Sequence, residues 1–151
     1  MEVYALIGPS GTGKSHRAIK LAHQLDAQAI IDDGLLIQGH SIIAGSSAKQ
    51  QPTRIAAIKT AIFLDDKQAD IMKAAINELK VERILLLGTS TKMVEHIASR
   101  LELPKPSKIF NITDVASEKD IRKAKFLRNR YNKHVIPAPI LEVKKSFPNA
   151  L

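Results

Sequence analysis

Short apolar runs and helical stripes alternate along this chain from its second residue. Glu2 to Ile7 (EVYALI) is apolar with β-branched and aromatic members and stops at Gly8-Pro9, the pattern of a buried strand. After the glycines, Ala18, Ile19, Leu21, Ala22 and Leu25 recur at helical spacing, so a helix is predicted from Lys14 to Leu25. Ala29 to Asp33 (AIIDD) predicts a second strand, broken by Gly34, and GLLIQGHSIIAG continues it as a short extended ribbon. Gln38 to Pro52 collects glycines, serines and a proline among polar residues and reads as a mobile loop, with a lid and an ordinary surface connection as its two roles.

Residues 53–64 carry two patterns at once. Ile55, Ile58 and Ile62 share a helical face, whereas AIFLDD alone resembles a strand ending in acids; the helix is the preferred reading. Asp66 to Leu79 is a clearer helix, with Ala69, Met72, Ile76 and Leu79 on one stripe and an acidic start that suits the helix dipole. Arg83 to Gly88 (RILLLG) carries a continuous apolar run, as a strand buried on both faces requires. Thr89, Ser90 and Thr91 offer caps for a helix to Leu101, and Pro104 and Pro106 stop it. Lys108 to Ile112 predicts another strand, and Ser117 opens a helix through about Tyr131. Pro137, Pro139 and Pro148 leave the tail extended, an edge strand in VIPAPILEV being one use for it.

Strands alternating with helices in this order predict an α/β fold in one domain spanning residues 1–151. Its sheet is mostly parallel, with helices on both faces and ligands at the carboxyl ends of the strands. The absence of cysteine excludes disulfides, thiolate metal sites and cysteine nucleophiles. No apolar stretch approaches the roughly 20 residues of a membrane helix and no leader pattern opens the chain, so a cytoplasmic protein without membrane contact is expected. The net charge of +8 is concentrated between Ser117 and Leu151, where nine Lys and Arg face three acids. That bias suits nucleic acid, phosphate-bearing substrates or a solvated basic face.

The candidate chemistry lies at the first turn. Gly8-Pro-Ser-Gly-Thr-Gly-Lys-Ser15 matches G-x-x-x-x-G-K-[ST] between a strand and a helix. In such a loop the glycines bring amide N–H groups close to phosphate oxygens, and the positive end of the helix faces the anion. Gly8, Ser10, Gly11, Thr12, Gly13, Lys14, Ser15 and His16 are therefore the expected nucleotide-binding residues; Lys14 reaches the β- and γ-phosphates and the Ser15 hydroxyl ligates Mg²⁺. His16 is placed by the motif and by no evident chemistry. The loop resembles the Walker A motif of the P-loop NTPase superfamily, with small kinase-like and AAA-like proteins as the nearest forms, and this resemblance implies the superfamily's fold and Mg-nucleotide binding. It covers eight residues and their flanks.

A magnesium site also needs a carboxylate on a neighbouring strand. RILLLG ends in Gly88-Thr89-Ser90 instead of an acid, so two pairs compete. Asp32 and Asp33 are preferred because their strand is the better one. Asp65 and Asp66 serve if AIFLDD is a strand, with Thr89 or Ser90 as a polar sensor in the AAA-like arrangement. No guanine-specificity sequence is present, which favours ATP as cofactor without excluding GTP. On the basic helix, Arg122, Arg128 and Arg130 are candidate phosphate clamps.

Two functions follow. One is an ATP-binding enzyme of kinase-like build that transfers or slowly hydrolyses a γ-phosphate, on an acceptor the sequence does not specify. The other is a nucleotide-sensing regulatory module whose basic C-terminal region binds nucleic acid or a protein. A site completed by another chain is a third arrangement, with the oligomeric state open.

Overall fold

In the computed structural model, residues 1–9, 11 and 13–113 are described. Strand β1 (Glu2–Ile7) leads through the glycine loop into helix α1 (Lys14–Gln24). Strands β2 (Ala29–Asp32), β3 (Leu35–Gln38) and β4 (Ser41–Gly45) follow, then a single 3-10 turn at Ala48–Gln50. Helices α2 (Arg54–Ala61) and α3 (Asp66–Leu79), strand β5 (Arg83–Gly88), helix α4 (Thr91–Arg100) and strand β6 (Lys108–Asn111) complete the described part.

The strands form one six-stranded sheet in the order β4-β3-β2-β5-β1-β6. Pairing is parallel from β2 through β5 and β1 to β6, and antiparallel across β2-β3-β4. The fold is thus α/β with a mostly parallel sheet. Alternation along β5 shows how both faces are covered. Ile84 and Leu86 pack with Met72 and Ile76 of α3 and Val94 and Ile97 of α4, while Leu85 and Leu87 pack with Ala18, Leu21 and Ala22 of α1. A strand buried in this way from Ile84 to Gly88 must be free of polar side chains over that run, as ILLLG is.

One segment departs from the sequence expectation, and in a second the structure decides between two readings. The expected loop from Gln38 to Pro52 contains strand β4, whose residues alternate between exposed and half-buried; polar Ser41 and glycine at Gly45 mask this pattern in the sequence. The ribbon reading of residues 34–45 holds instead. Two tight turns build it, Asp33-Gly34 and Gly39-His40, and both Asp33 and Gly34 take positive φ, 56° and 85°, matching the twist of a hairpin.

The second is AIFLDD, where the preferred helix reading of residues 53–64 holds and the strand alternative does not. α2 ends at Ala61, and Phe63, fully buried, turns the chain with φ 57°. Arg100 of α4 holds this corner: its Nε donates to the Phe63 carbonyl at 2.7 Å, and its guanidinium reaches the Leu64 carbonyl at 3.0 Å and Asp66 at 2.7 Å. Asp65 caps α3 by accepting from the Gln68 amide at 3.1 Å. The helix and tail expected from Ser117 onward, with Arg122, Arg128 and Arg130, lie outside the described residues.

Candidate active site at the glycine loop

The loop between β1 and α1 is fixed at both ends. The Gly8 amide donates to the Gly88 carbonyl at 3.2 Å, tying the loop to the end of β5. Gly13 is the N-cap of α1 in a left-handed conformation, φ 80° and ψ 26°, and no side chain caps the helix. Gly13 offers the first-turn amides no side-chain acceptor, an arrangement that favours anion binding at a helix N-terminus. Ser10 and Thr12 lie outside the described residues. His16 sits half-buried in the first turn of α1.

Lys14 folds back over the loop. Its Nζ donates to the carbonyls of Gly8 at 2.6 Å and Pro9 at 2.8 Å. Burial lowers the Lys14 pKa from the ordinary lysine value, with Asp32 opposing and Lys49 adding to the effect. A partly desolvated ammonium of this kind gains more from an arriving phosphate than an exposed one would.

The structure divides the preferred acid pair. Asp32, the last residue of β2, accepts a hydrogen bond from the Ser15 hydroxyl, so the acid and the P-loop serine meet at the carboxyl edge of the sheet. Burial pushes the Asp32 carboxyl above the usual range; the Ser15 bond and the charges of Lys49 and Lys14 counter this and Asp33 reinforces it. Asp33 belongs to a different contact. Its Oδ2 accepts from Ser47 Oγ at 2.8 Å and from the Lys49 amide at 3.2 Å, while its carbonyl accepts from the Ala48 amide at 2.9 Å. Both carboxylate bonds go to one oxygen, and Oδ1 has no protein donor among the described residues.

The second acid pair has other work: Asp65 caps α3 and Asp66 pairs with Arg100. With AIFLDD not a strand, the AAA-like arrangement loses its premise. Ser90 caps α4 by accepting from the Met93 amide at 3.2 Å, and Thr89 donates to the Met93 sulfur through its amide at 3.3 Å and its hydroxyl at 3.4 Å.

Among the described residues no cluster of three or more His, Asp or Glu could hold a metal alone. Mg²⁺ does not need one, since it is commonly held by one or two protein oxygens, substrate phosphates and water. Ser15 and Asp32 supply such hard oxygens beside the phosphate cradle. Two residues of this corner, Ser47 and Lys49, were not marked as functional in the sequence. Ser47 is a recognisable cap, accepting from the Lys49 amide at 3.2 Å, but its bond to Asp33 exists only through the hairpin fold.

The Asp32 environment has a consequence for stability. Its folded pKa is raised above the unfolded value, so the folded state binds the proton more tightly. Stability therefore falls as pH rises from the unfolded pKa through the folded one, and the full cost of burying the ionised carboxylate is present above that window. Asp32→Asn keeps an oxygen acceptor for Ser15 and removes the charge. It is expected to raise the ligand-free melting midpoint at pH 7.5 by a few degrees, with the gain fading as pH falls towards 4, while Mg²⁺-dependent ligand stabilisation is lost. Thermal scans across that pH range check this; an unchanged or lower midpoint at pH 7.5 contradicts it.

A glycine loop opening the first helix, at the carboxyl edge of a mostly parallel sheet with a serine and an acid converging beside it, defines a P-loop nucleotide-binding protein. Within that class the chain belongs to the isopentenyl transferase family, whose model matches residues 1–99. No curated protein and no solved structure matches the chain. The family assignment supports nucleotide binding at the P-loop. No helix among the described residues is long and apolar enough to cross a membrane.

Proposed function

We propose that this protein holds a Mg²⁺-complexed diphosphate in its P-loop and transfers the five-carbon isoprenyl group esterified to it onto a nucleophile of a nucleotide-type acceptor. The observation that carries this reading is the convergence of Lys14, Ser15 and Asp32 at the helix N-terminus of a chain from the isopentenyl transferase family. A diphosphate is the fragment that a P-loop and its lysine are built to hold, and it is also the leaving group of an isoprenyl diphosphate.

The chemistry divides among the residues present. The C–O bond between the isoprenyl carbon and the diphosphate breaks with its electron pair going to the diphosphate oxygen. A lone pair on the acceptor, an amine nitrogen in the simplest case, forms the new bond to that carbon and then loses a proton. Lys14 and the uncapped amides of α1 stabilise the negative charge that builds on the departing diphosphate. Ser15 and Asp32 would hold Mg²⁺, which when bound would neutralise further phosphate charge. Asp33, fixed by Ser47 and the Lys49 amide with Oδ1 lacking a donor among the described residues, takes the acceptor's proton.

A second reading, transfer or slow hydrolysis of the γ-phosphate of ATP, is supported by the same Ser15–Asp32 pair, which suits MgATP equally well. The regulatory-module alternative rests on the basic C-terminal region and gains nothing from the family. One experiment separates the enzymatic readings: incubation of the protein with Mg²⁺, dimethylallyl diphosphate and AMP, ADP or ATP, followed by mass spectrometry. The proposal expects an acceptor heavier by one C5H8 unit and release of pyrophosphate. ADP and phosphate formed from ATP without any prenylated product would favour phosphoryl transfer.

A further inference from the structure

Lys49 stands apart from every role described above. It lies in the 3-10 turn Ala48–Gln50, and its backbone is pinned: the amide donates to Asp33 Oδ2 and Ser47 Oγ, both at 3.2 Å, and the preceding Ala48 is buried with its amide on the Asp33 carbonyl. Asp33 follows Asp32 directly, so this turn is anchored one residue from the acid that meets Ser15. The ammonium of Lys49, by contrast, is in no ion pair among the described residues. The Asp33 carboxylate, which the Lys49 amide bonds, is met by the Ser47 hydroxyl and that amide and not by the ammonium. A long cationic side chain on a fixed backbone, left without an acid partner, is arranged to meet an anion that is not part of the protein.

We propose that Lys49 is a second phosphate-binding residue of this site, reaching the substrate's diphosphate from the β4 side while Lys14 holds it from the P-loop. Its charge already acts on both groups that border the cradle, disfavouring the charged form of Lys14 and favouring that of Asp32. An anion placed between the two lysines relieves their mutual repulsion and pairs with both. Two cations acting on one cradle suit a diphosphate or longer chain better than a single phosphate, and this selects the ligand class.

The inference rests on the P-loop reading, and titration calorimetry with Mg²⁺-pyrophosphate distinguishes the failure of one from that of the other. The wild type, K49A, K49R and K14A are compared, with melting midpoints recorded alongside. Because the bonds of Lys49 to Asp33 and Ser47 use its backbone amide, K49A keeps them and should melt with the wild type. It is expected to bind pyrophosphate about tenfold more weakly, equivalent to about 1.4 kcal/mol. K49R should stay within about threefold of the wild type, and the K49A defect should shrink at high salt. Unchanged binding by K49A alongside loss in K14A overturns the role of Lys49 and leaves the P-loop reading intact. A lowered midpoint with binding that K49R does not rescue also overturns it, by assigning the residue to the turn's structure. Failure of the wild type to bind pyrophosphate removes both.

Discussion

Lys14→Ala is expected to abolish measurable diphosphate binding at concentrations that saturate the wild type, while leaving the fold in place. Among the described residues the ammonium bonds two loop carbonyls, those of Gly8 and Pro9. It supports no element of the sheet or helices, so its removal should move the melting midpoint by no more than about 2 °C, the range of an ordinary surface change. Toward ligand the balance is different. Each charge-assisted bond to a phosphate is worth about 1.5–3 kcal/mol, and two such bonds at about 3 kcal/mol in total lower affinity by roughly a hundredfold or more. Calorimetry with Mg²⁺-pyrophosphate and the same titration with MgATP measure the effect. A variant that binds either ligand as the wild type does would mean that the phosphates are held elsewhere.

Gly45→Ala is expected to give the largest loss of stability of any single methyl addition to the ribbon. Gly45 has φ 99°, and a Cβ there would lie 2.1 Å from the Gly34 carbonyl oxygen and 3.0 Å from Met72 Cε. Gly34 has the reciprocal problem, with a Cβ placed 2.4 Å from the Ser46 carbonyl oxygen. The two backbones approach so closely that β4 must separate from the Asp33-Gly34 turn to admit the methyl group. Overpacking against backbone together with an unfavourable φ costs about 3 kcal/mol or more, or roughly 6–12 °C in the midpoint for a chain of this size. Gly39→Ala is the control. Its φ is also positive, at 61°, but nothing lies within 4 Å of the added carbon, so only backbone strain of about 1 kcal/mol is expected. Gly45→Ala should also weaken diphosphate binding, because the corner that places Ser47 and Lys49 against Asp33 hangs on β4. Equal midpoints for the two variants would contradict the close approach of Gly34 and Gly45.

Much of the architecture is legible in the sequence because its signals are local. The apolar run RILLLG could satisfy only a doubly covered strand, and the stripe Ala69, Met72, Ile76 only a helix against that sheet. The P-loop is legible for the same reason: eight consecutive residues define both its shape and its chemistry. AIFLDD was harder, since a four-residue apolar run fits a strand and a helix end alike. The tie is broken by Arg100, 37 residues beyond Phe63, whose guanidinium holds the corner that a strand would have straightened. At β4 the ribbon reading competed with a loop reading because Ser41 and Gly45 at the strand's ends carry none of the β-branched bulk by which strands are recognised.

The sequence by itself therefore determined the class of protein, the alternation of strands and helices and the P-loop, and it ranked Asp32 and Asp33 above the later acid pair. Only the tertiary structure decided how that pair is used. Asp32 meets Ser15 across 17 residues because β2 and β1 both end at the same edge of the sheet, on either side of β5. Asp33 meets Ser47 across 14 residues because a two-residue turn and the pairing of Leu35 with Gly45 fold the ribbon back on itself. Periodicity records which face of an element is apolar and is silent on which elements become neighbours. A site assembled from strand ends and turn corners depends on strand order and register, which the whole sheet sets when it packs.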